Sequence, residues 1–313
     1  MSTNTSTLPT QMDLDRRTVG LLFCVISVVL TPVYMRIIHV LLWSSEFQKL
    51  RCYRIMALIG ILDCVFVLGY AVFGLTLAFE NEFYGFTHVI IQLCEAVWMT
   101  KCSLNVILAI NRLTVICDIN VSNGVHVASL IVCWLVGSGF FIVCLSPYAG
   151  LRPDYSTFAW IPDYSKPLTH VFRIVDQAYS FSTLSFILVI YLITAYVLFL
   201  KRKRFNANRG RLLLERRICL IGLVLFSSPM TGALLFNFGM QILPESYWTT
   251  AVIGIFSICN ISLAAPTVYL AVNKSLRRQV LTLGFRRSES VSSRVHTINI
   301  GQRQDGSWSV CHM

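Results

Sequence analysis

Three ionisable side chains stand inside long apolar stretches of this sequence: Asp63, Glu95 and Lys101. A charge at the centre of a bilayer costs about 2.5–3.5 kcal/mol on insertion scales, so such residues face the interior of a helix bundle and have partners or a function. Two carboxyl groups and an ammonium group in such a place predict ion pairing, polar ligand binding or proton transfer.

Lys101 comes eleven residues before Arg112 in the same apolar run, and Asn105 lies between them. At about 100° per residue the two basic residues are about 20° apart, so they share one helix face. We therefore hypothesise that Lys101 pairs with Asp63 inside the bundle. The alternative is that Lys101 extends into a watery cavity and has no fixed partner.

Glu95 lies six residues before Lys101, a spacing that predicts widely separated faces of the helix for the two side chains. Its place in the predicted outer third of that helix is where the small-molecule pockets of helix bundles open. Glu95 and Trp98, which follows about one turn later, are therefore candidate ligand-binding residues, with Trp98 as the floor. The alternatives are a hydrogen bond from Glu95 to a neighbouring helix and plain packing of Trp98.

Seven apolar runs must position these residues. About 20 residues cross a bilayer, so seven crossings with short loops use most of a 313-residue chain that is 55% hydrophobic and 13% charged. The sequence thus predicts an all-α membrane protein built as a bundle of seven transmembrane helices. The runs cover residues 18–40, 53–79, 88–117, 125–147, 171–200, 218–243 and 249–272.

Polar segments flank the predicted transmembrane domain, which covers residues 18–273. Residues 1–17 form a predicted extracellular tail, in which Asn4 of an Asn-Thr-Ser sequon is a candidate for glycosylation. Residues 274–284 combine Leu and Val with Lys and Arg, which predicts a short amphipathic eighth helix on the membrane. Residues 285–313 are polar and rich in Ser and Arg, which predicts a disordered cytoplasmic tail.

The basic residues set the predicted orientation. Of the 26 Lys and Arg residues, 20 fall on the side of the carboxyl terminus, five fall on the opposite side, and Lys101 lies within the membrane. Positive charge stays in the cytosol, so the amino terminus is predicted outside and the carboxyl terminus inside. The basic loop from Lys201 then faces anionic lipid of the inner leaflet, which explains the net charge of +11 without nucleic acid.

The histidines and cysteines form no catalytic or metal-binding pattern. The six histidines lack metal-ligand or triad spacing, and the last apolar run has no lysine for a retinal Schiff base. We therefore expect no enzyme activity, no cofactor and no metal. The 11 cysteines fall in apolar runs or on the predicted cytosolic side, so we expect free thiols.

Three segments carry motifs in a fixed order. Residues 47–63 read FQKLRCYRIMALIGILD, the third run has Trp98, Cys102 and the sequence Ala-Ile-Asn-Arg ending at Arg112, and the last run continues from Pro266 as PTVYLAVNKSLRR. They resemble the patterns SCYKIMFFLGIID, Ala-x-Asn-Arg and Pro-x-x-Tyr-Leu with Asn-Lys/Arg-x-x-Arg-Arg. These patterns are those of the nematode serpentine chemoreceptors of class T (Srt), which are seven-transmembrane G-protein-coupled receptors.

The resemblance implies a chemosensory receptor that binds a small-molecule cue in the outer half of the bundle and signals to a heterotrimeric G protein. It also implies the plasma membrane, and the cilia, of sensory neurons. It places Asn111 and Arg112 at the G-protein contact and Asp63 at the position that binds sodium in many receptors, where Lys101 would replace the ion. The predicted intramembrane polar switch comprises Asp63, Lys101, Asn105, Pro266 and Tyr269.

The sequence departs from many rhodopsin-like receptors at the predicted outer side. No cysteine occurs near Thr87, at the start of the third run, or in the loop 148–170, so we expect no disulfide between them. The main alternative function is a small transporter or channel in which Asp63, Glu95 and Lys101 form a polar relay. Transporters typically show internal repeats, and this sequence shows none.

Overall fold

The computed structural model describes residues 11–48, 50–204, 226–239, 242–244 and 246–282. Residues 226–239 are helical and belong to the predicted sixth run; apart from residues 242–243, the rest of that run lies outside the described residues. The described helices are, in chain order, α1 (Gln11–Trp43), α2 (Ser45–Gln48), α3 (Arg51–Phe79), α4 (Phe86–Ile116), α5 (Asn123–Leu145), α6 (Thr169–Arg204), α7 (226–239), α8 (Tyr247–Val272) and α9 (Lys274–Thr282).

Six of the described helices are long and apolar enough to cross a membrane: α1, α3, α4, α5, α6 and α8. They coincide with six of the seven predicted runs. α1 begins at Gln11, within the segment predicted as a tail, because its charged turns find partners at the end of α3. Arg16 is buried, donates from Nε to Leu77 O at 3.1 Å and forms an ion pair with Glu80. A charge paired in this way allows the helix to extend beyond its apolar run.

α1 and α3 approach each other closely at Gly20 and Gly74. A Cβ atom at either position would collide with the backbone oxygen of the other glycine. Small residues at such a crossing let two helix backbones gain van der Waals contact, which drives helix association in a membrane. This close packing holds α1 against the helix that carries Asp63.

The loop between α5 and α6 contains a two-stranded antiparallel hairpin, which was not predicted. Strand β1 (Leu151–Asp154) pairs with strand β2 (Ala159–Pro162). Trp160 is buried among residues of α3 and α8, and Phe158, which has a φ of 55° in the turn, packs against Tyr247 of α8. The hairpin therefore covers one end of the bundle, which we call the hairpin end.

Side-chain hydrogen bonds hold the rest of this loop. Lys166 Nζ donates to Ser146 O at 3.1 Å and to Ala149 O at 3.0 Å, which ties the loop after β2 to the end of α5. The Ser165 hydroxyl donates to Asp163 Oδ1 at 2.6 Å, and this hydrogen bond holds the pKa of the Asp163 carboxyl below its usual value. The loop is thus fixed at both ends of the hairpin.

The amphipathic helix predicted over residues 274–284 is present as α9. Leu276 is fully buried against the bundle, and Arg277 is exposed. Arg36 of α1 donates from Nε to Val280 O at 2.9 Å, so α9 is fixed to the first helix as well as to the last. We call this side of the bundle the α9 end.

Several predictions fall wholly or largely on residues that the structure leaves undescribed. Asn4, most of the basic loop that follows Lys201, and the tail 285–313 lie outside the described residues. All nine cysteines of the described residues are free thiols.

Candidate functional site

A cavity of about 670 Å³, counted with its opening, lies among α3, α4, α6, α7, α8 and strand β2. Five aromatic rings line it, Phe66, Tyr70, Trp98, Trp160 and Phe236. The cavity is therefore suited to a small ligand with an apolar or aromatic body.

Glu95, Trp98 and Lys101 all line this cavity. Glu95 and Lys101 thus border the same cavity although their spacing of six residues places them on widely separated faces of α4. α4 borders the cavity with a wide arc of its surface, and Trp98 lies between the two long side chains on that arc. Angular spacing along one helix does not show how far a cavity extends around it.

The predicted pairing of Lys101 with Asp63 is present in the structure. Lys101 Nζ contacts Asp63 Oδ1, and the Tyr34 hydroxyl donates to Asp63 Oδ2 at 2.9 Å. The Asp63 side chain is 2% exposed and the Lys101 side chain 12% exposed. Lys101 Nζ also lies 5.8 Å from the centroid of the Trp98 ring. The buried ion pair thus joins α3 to α4 beside the cavity, and the Tyr34 hydrogen bond joins α1 to both.

The other residues of the predicted switch lie around and below this pair. Asn105 Nδ2 donates to the Lys101 carbonyl at 3.0 Å, one turn back in α4. Pro266 lies inside α8, and Tyr269 is buried about one turn later, near both Asp63 and Arg112. Tyr269 therefore connects the ion pair with the predicted G-protein contact, and the switch itself stays a prediction.

Glu95 belongs to a second buried polar cluster, between α4 and α6. Its carboxyl group lies beside the Asp176 carboxyl group of α6, and both are buried. Arg173 Nη1 donates to Asp176 Oδ2 at 2.7 Å, and Ser180 also hydrogen-bonds to Asp176. Glu95 thus makes the contact with a neighbouring helix that the sequence left as an alternative, and ligand binding by Glu95 stays a prediction.

Sequence reasoning missed Asp176 and Arg173 as site residues. Both were counted with the charges of the extracellular side, because they lie at the start of the fifth run, 171–200, and α6, which begins at Thr169, includes them. The spacing from Arg173 to Asp176 is the signal that could have identified them. Opposite charges three residues apart meet on one helix face and neutralise each other.

The cluster extends from α6 to α4 and α7. Arg173 Nη2 donates to Asn237 Oδ1 at 2.7 Å, and its guanidinium carbon lies 5.2 Å from the centroid of the Phe236 ring. Trp98 Nε1 donates to Ser180 Oγ at 3.1 Å. A ligand in the cavity would therefore touch side chains that link three helices.

At the α9 end of α4, Arg112 Nη1 lies 3.5 Å from the Tyr191 hydroxyl of α6. Asn111 and Arg112 are both partly buried. Lys201 of α6 donates to Ile116 O at 2.6 Å and pairs with Asp118 at 2.9 Å, beyond the end of α4. These contacts join α4 to α6 at the place where the sequence predicted the G-protein contact.

Comparison with protein families decides the class of this molecule. A family model described as serpentine type 7TM GPCR chemoreceptor Srt matches residues 3–293. The chain belongs to this family. The comparison with curated proteins finds no match for the Srt chain.

Comparison with solved structures agrees with the fold of an Srt receptor. Squid rhodopsin is similar with a TM-score of 0.69 at 14% identity, and the similarity covers 92% of each chain. Such low identity shows the fold alone, a seven-transmembrane receptor bundle, and this confirms the predicted fold class. The family is one of membrane receptors.

In this Srt receptor, hydrogen bonds attach the hairpin to α4. Gln92 is fully buried, its Nε2 donates to Leu151 O at 2.6 Å, and its Oε1 accepts from Leu151 N at 3.1 Å. One turn earlier, the Thr87 hydroxyl hydrogen-bonds the Thr76 hydroxyl of α3 at 2.6 Å. Gln92 thus links α4 to the loop at the place where the sequence predicted no disulfide, and we call its two hydrogen bonds the Gln92 clamp.

Replacing Gln92 with leucine in the Srt receptor should lower the free energy of unfolding by about 2–3 kcal/mol, because the amide and carbonyl groups of Leu151 are left buried without partners. Thermal unfolding of the purified receptor in detergent measures the loss. Gln11→Leu, at an exposed glutamine that donates to Asp15, is the matched control and should cost little. Equal losses in the two variants would argue against the Gln92 clamp.

Proposed function

We propose that this Srt-family receptor binds a small molecule in the cavity among α3, α4, α6, α7 and α8 and signals to a heterotrimeric G protein at the α9 end. The observation that carries the proposal is the position of the Lys101–Asp63 ion pair, because Lys101 lines the cavity and the buried Tyr269 lies near both Asp63 and Arg112. The chain acts as a chemoreceptor in the plasma membrane of ciliated sensory neurons.

The hairpin end faces outside and the α9 end faces the cytosol in this proposal. The excess of Lys and Arg on the side of the carboxyl terminus supports it, 20 against five of the 26. The exposed Arg277 and Arg278 of α9 then meet the anionic lipid of the inner leaflet. Asn4 lies outside in this orientation and is available for glycosylation.

Ligand binding acts on the side chains that line the cavity. A molecule between Trp98 and Phe236 changes the contacts of α4 with α7, and through Ser180 it changes those of α4 with α6. Pro266 leaves a backbone carbonyl of α8 without its usual helical partner and permits a bend there. Relative movement of these helices alters the surroundings of Asn111 and Arg112, where the G protein binds.

A screen of small volatile and water-soluble molecules on cells that express the receptor tests the proposal, with nucleotide exchange on a co-expressed G protein as the readout. Ala233→Trp would fill the cavity, since Ala233 is buried in its wall. We expect activating molecules in the screen to lose their effect on this variant at unchanged surface expression. Substrate flux into vesicles with no nucleotide exchange would favour the transporter or channel alternative.

Replacing Arg112 with alanine should reduce ligand-stimulated nucleotide exchange by about ten- to thirty-fold, the usual cost of losing an arginine that dominates an interface. Ligand binding should stay within about twofold, since Arg112 lies far along α4 from Glu95. Radioligand binding and nucleotide exchange on the same membranes give both values. Arg152→Ala, at an exposed arginine of strand β1, is the matched control and should change neither.

A further inference from the structure

Two ion pairs and one further carboxyl group lie around the cavity. Lys101 pairs with Asp63 in one set, and Arg173 pairs with Asp176 in the other. Glu95 is left over beside Asp176. Both carboxyl groups are buried at the cavity, and Arg173 supplies a single positive charge beside them, so Glu95 and Asp176 together hold one proton and a single negative charge.

Aromatic rings cover the space beside these carboxyl groups. The Tyr70 and Trp160 ring centroids are 4.5 Å apart, and Phe66 lies 6.3 Å from Trp160 and 6.4 Å from Trp98. All four rings line the cavity that Glu95 and Asp176 also line. The faces of aromatic rings attract cations, and groups of such rings bind quaternary ammonium ions. The rings thus favour a cation on grounds that do not depend on the carboxyl groups.

We propose that the cavity binds a monovalent organic cation on a small apolar body, with the Glu95–Asp176 carboxyl pair as its counter-ion. The ligand class rests on the proposed function, because it concerns the same cavity. When the cation enters, the shared proton leaves to solvent, and the pair gains the one negative charge that balances the ligand. The charges of the cluster and the ligand then sum to zero both before and after binding, as the burial of charge in a membrane requires.

The other ionisable groups around the carboxyl pair fit this exchange. Arg173 already neutralises Asp176, so it balances one of the two negative charges that remain after the proton leaves. Lys101, from α4, is neutralised by Asp63. Among the described residues, the other titratable groups near the pair are three thiols, which carry no charge at neutral pH: Cys94 and Cys102 of α4 and Cys144 of α5.

An anionic ligand fits these groups less well. In the described part of the chain, Lys101 lines the cavity and Arg173 lies beside it, and both are held by carboxylates of the protein. A buried anion would have to break one of these ion pairs and leave a carboxylate of the receptor uncompensated. A neutral ligand needs no compensation, so it is the comparison that the test must include.

Choline and its uncharged carbon isostere 3,3-dimethylbutan-1-ol test the proposal, because they have the same shape and differ in one permanent charge. Isothermal titration of both into the full-length receptor in lipid nanodiscs gives their affinities. Titration in two buffers with different ionisation enthalpies gives the number of protons released. We expect choline to bind at least about tenfold more tightly and to release about one proton.

Glu95→Gln mimics the protonated carboxyl group and has no proton to lose. In this variant choline should bind at least about tenfold more weakly than to the unmodified receptor, with no proton released, while the alcohol keeps its affinity. Glu82→Gln, at an exposed carboxylate between α3 and α4, is the matched control and should leave all values unchanged.

Tighter binding of the alcohol than of choline, or an unchanged preference for choline in Glu95→Gln, would overturn the cation proposal. The proposed function would stand in that case if neutral molecules activate the receptor and lose their effect in Ala233→Trp. Activation that survives in Ala233→Trp would overturn the cavity as the ligand site, and the cation proposal would fall with it.

Discussion

Replacing Lys101 with methionine is expected to lower the free energy of unfolding by about 3–5 kcal/mol, because the change leaves the Asp63 carboxylate buried without its cation. Asp63 is 2% exposed, so water cannot replace the ammonium group. The Tyr34 hydroxyl continues to donate one hydrogen bond, but a hydroxyl group does not neutralise a charge. Thermal unfolding in detergent measures the loss, followed by a fluorescent thiol reagent that reports buried cysteines as they become accessible.

Two variants make this prediction specific to the buried pair. Adding Asp63→Asn to Lys101→Met removes both charges and keeps an acceptor for Tyr34, so most of the lost stability should return. Lys201→Met makes the same substitution in an exposed ion pair, in which Lys201 and Asp118 are 42% and 84% exposed, and it should cost less than about 1 kcal/mol. A double variant that is less stable than Lys101→Met would contradict the pairing as the source of the loss.

Replacing Trp160 with alanine should lower the free energy of unfolding by about 3–5 kcal/mol, the usual cost of removing a large aromatic side chain from a core. Trp160 is 6% exposed, and its ring centroid lies 4.5 Å from that of Tyr70 and 5.2 Å from that of Phe73. The same change removes one wall of the cavity. The ligand affinity should therefore fall by a larger factor than the loss of folded receptor alone would cause.

The measurement combines thermal unfolding with ligand titration at a temperature where the variant is still folded. Trp134→Ala is the matched control, since Trp134 lies on α5 and is 46% exposed. It should change the unfolding temperature little and the ligand affinity not at all. A Trp160→Ala receptor with full ligand affinity would show that the hairpin does not form part of the binding site.

The sequence predicts the helices well because the bilayer imposes a strong rule on their length and composition. Six apolar runs reappear as described helices, and the amphipathic α9 appears where the spacing of Leu and Arg places it. The pairing of Lys101 with Asp63 was also predictable. Two opposite charges in neighbouring apolar helices have few other partners, and each lowers the cost of burying the other.

The sequence predicts the Glu95 cluster less well, because its charges lie at the start of a helix. Arg173 and Asp176 stand at the start of the run 171–200, where charges are expected to face the extracellular side, and only their contact with Glu95 and Asn237 explains their burial. The hairpin escaped prediction for a similar reason. Its strands are four residues each, and Trp160 is buried by residues far away in the chain.

The Gln92 clamp has a consequence for how the receptor matures. A cystine bridge between a helix and an external loop needs an oxidising compartment and a dithiol exchange enzyme before it forms. The two hydrogen bonds between Gln92 and the backbone of Leu151 form as soon as α4 and the hairpin meet. Attachment of the hairpin is therefore independent of redox poise, so mild reductants should leave it in place and production in a reducing host should be practicable.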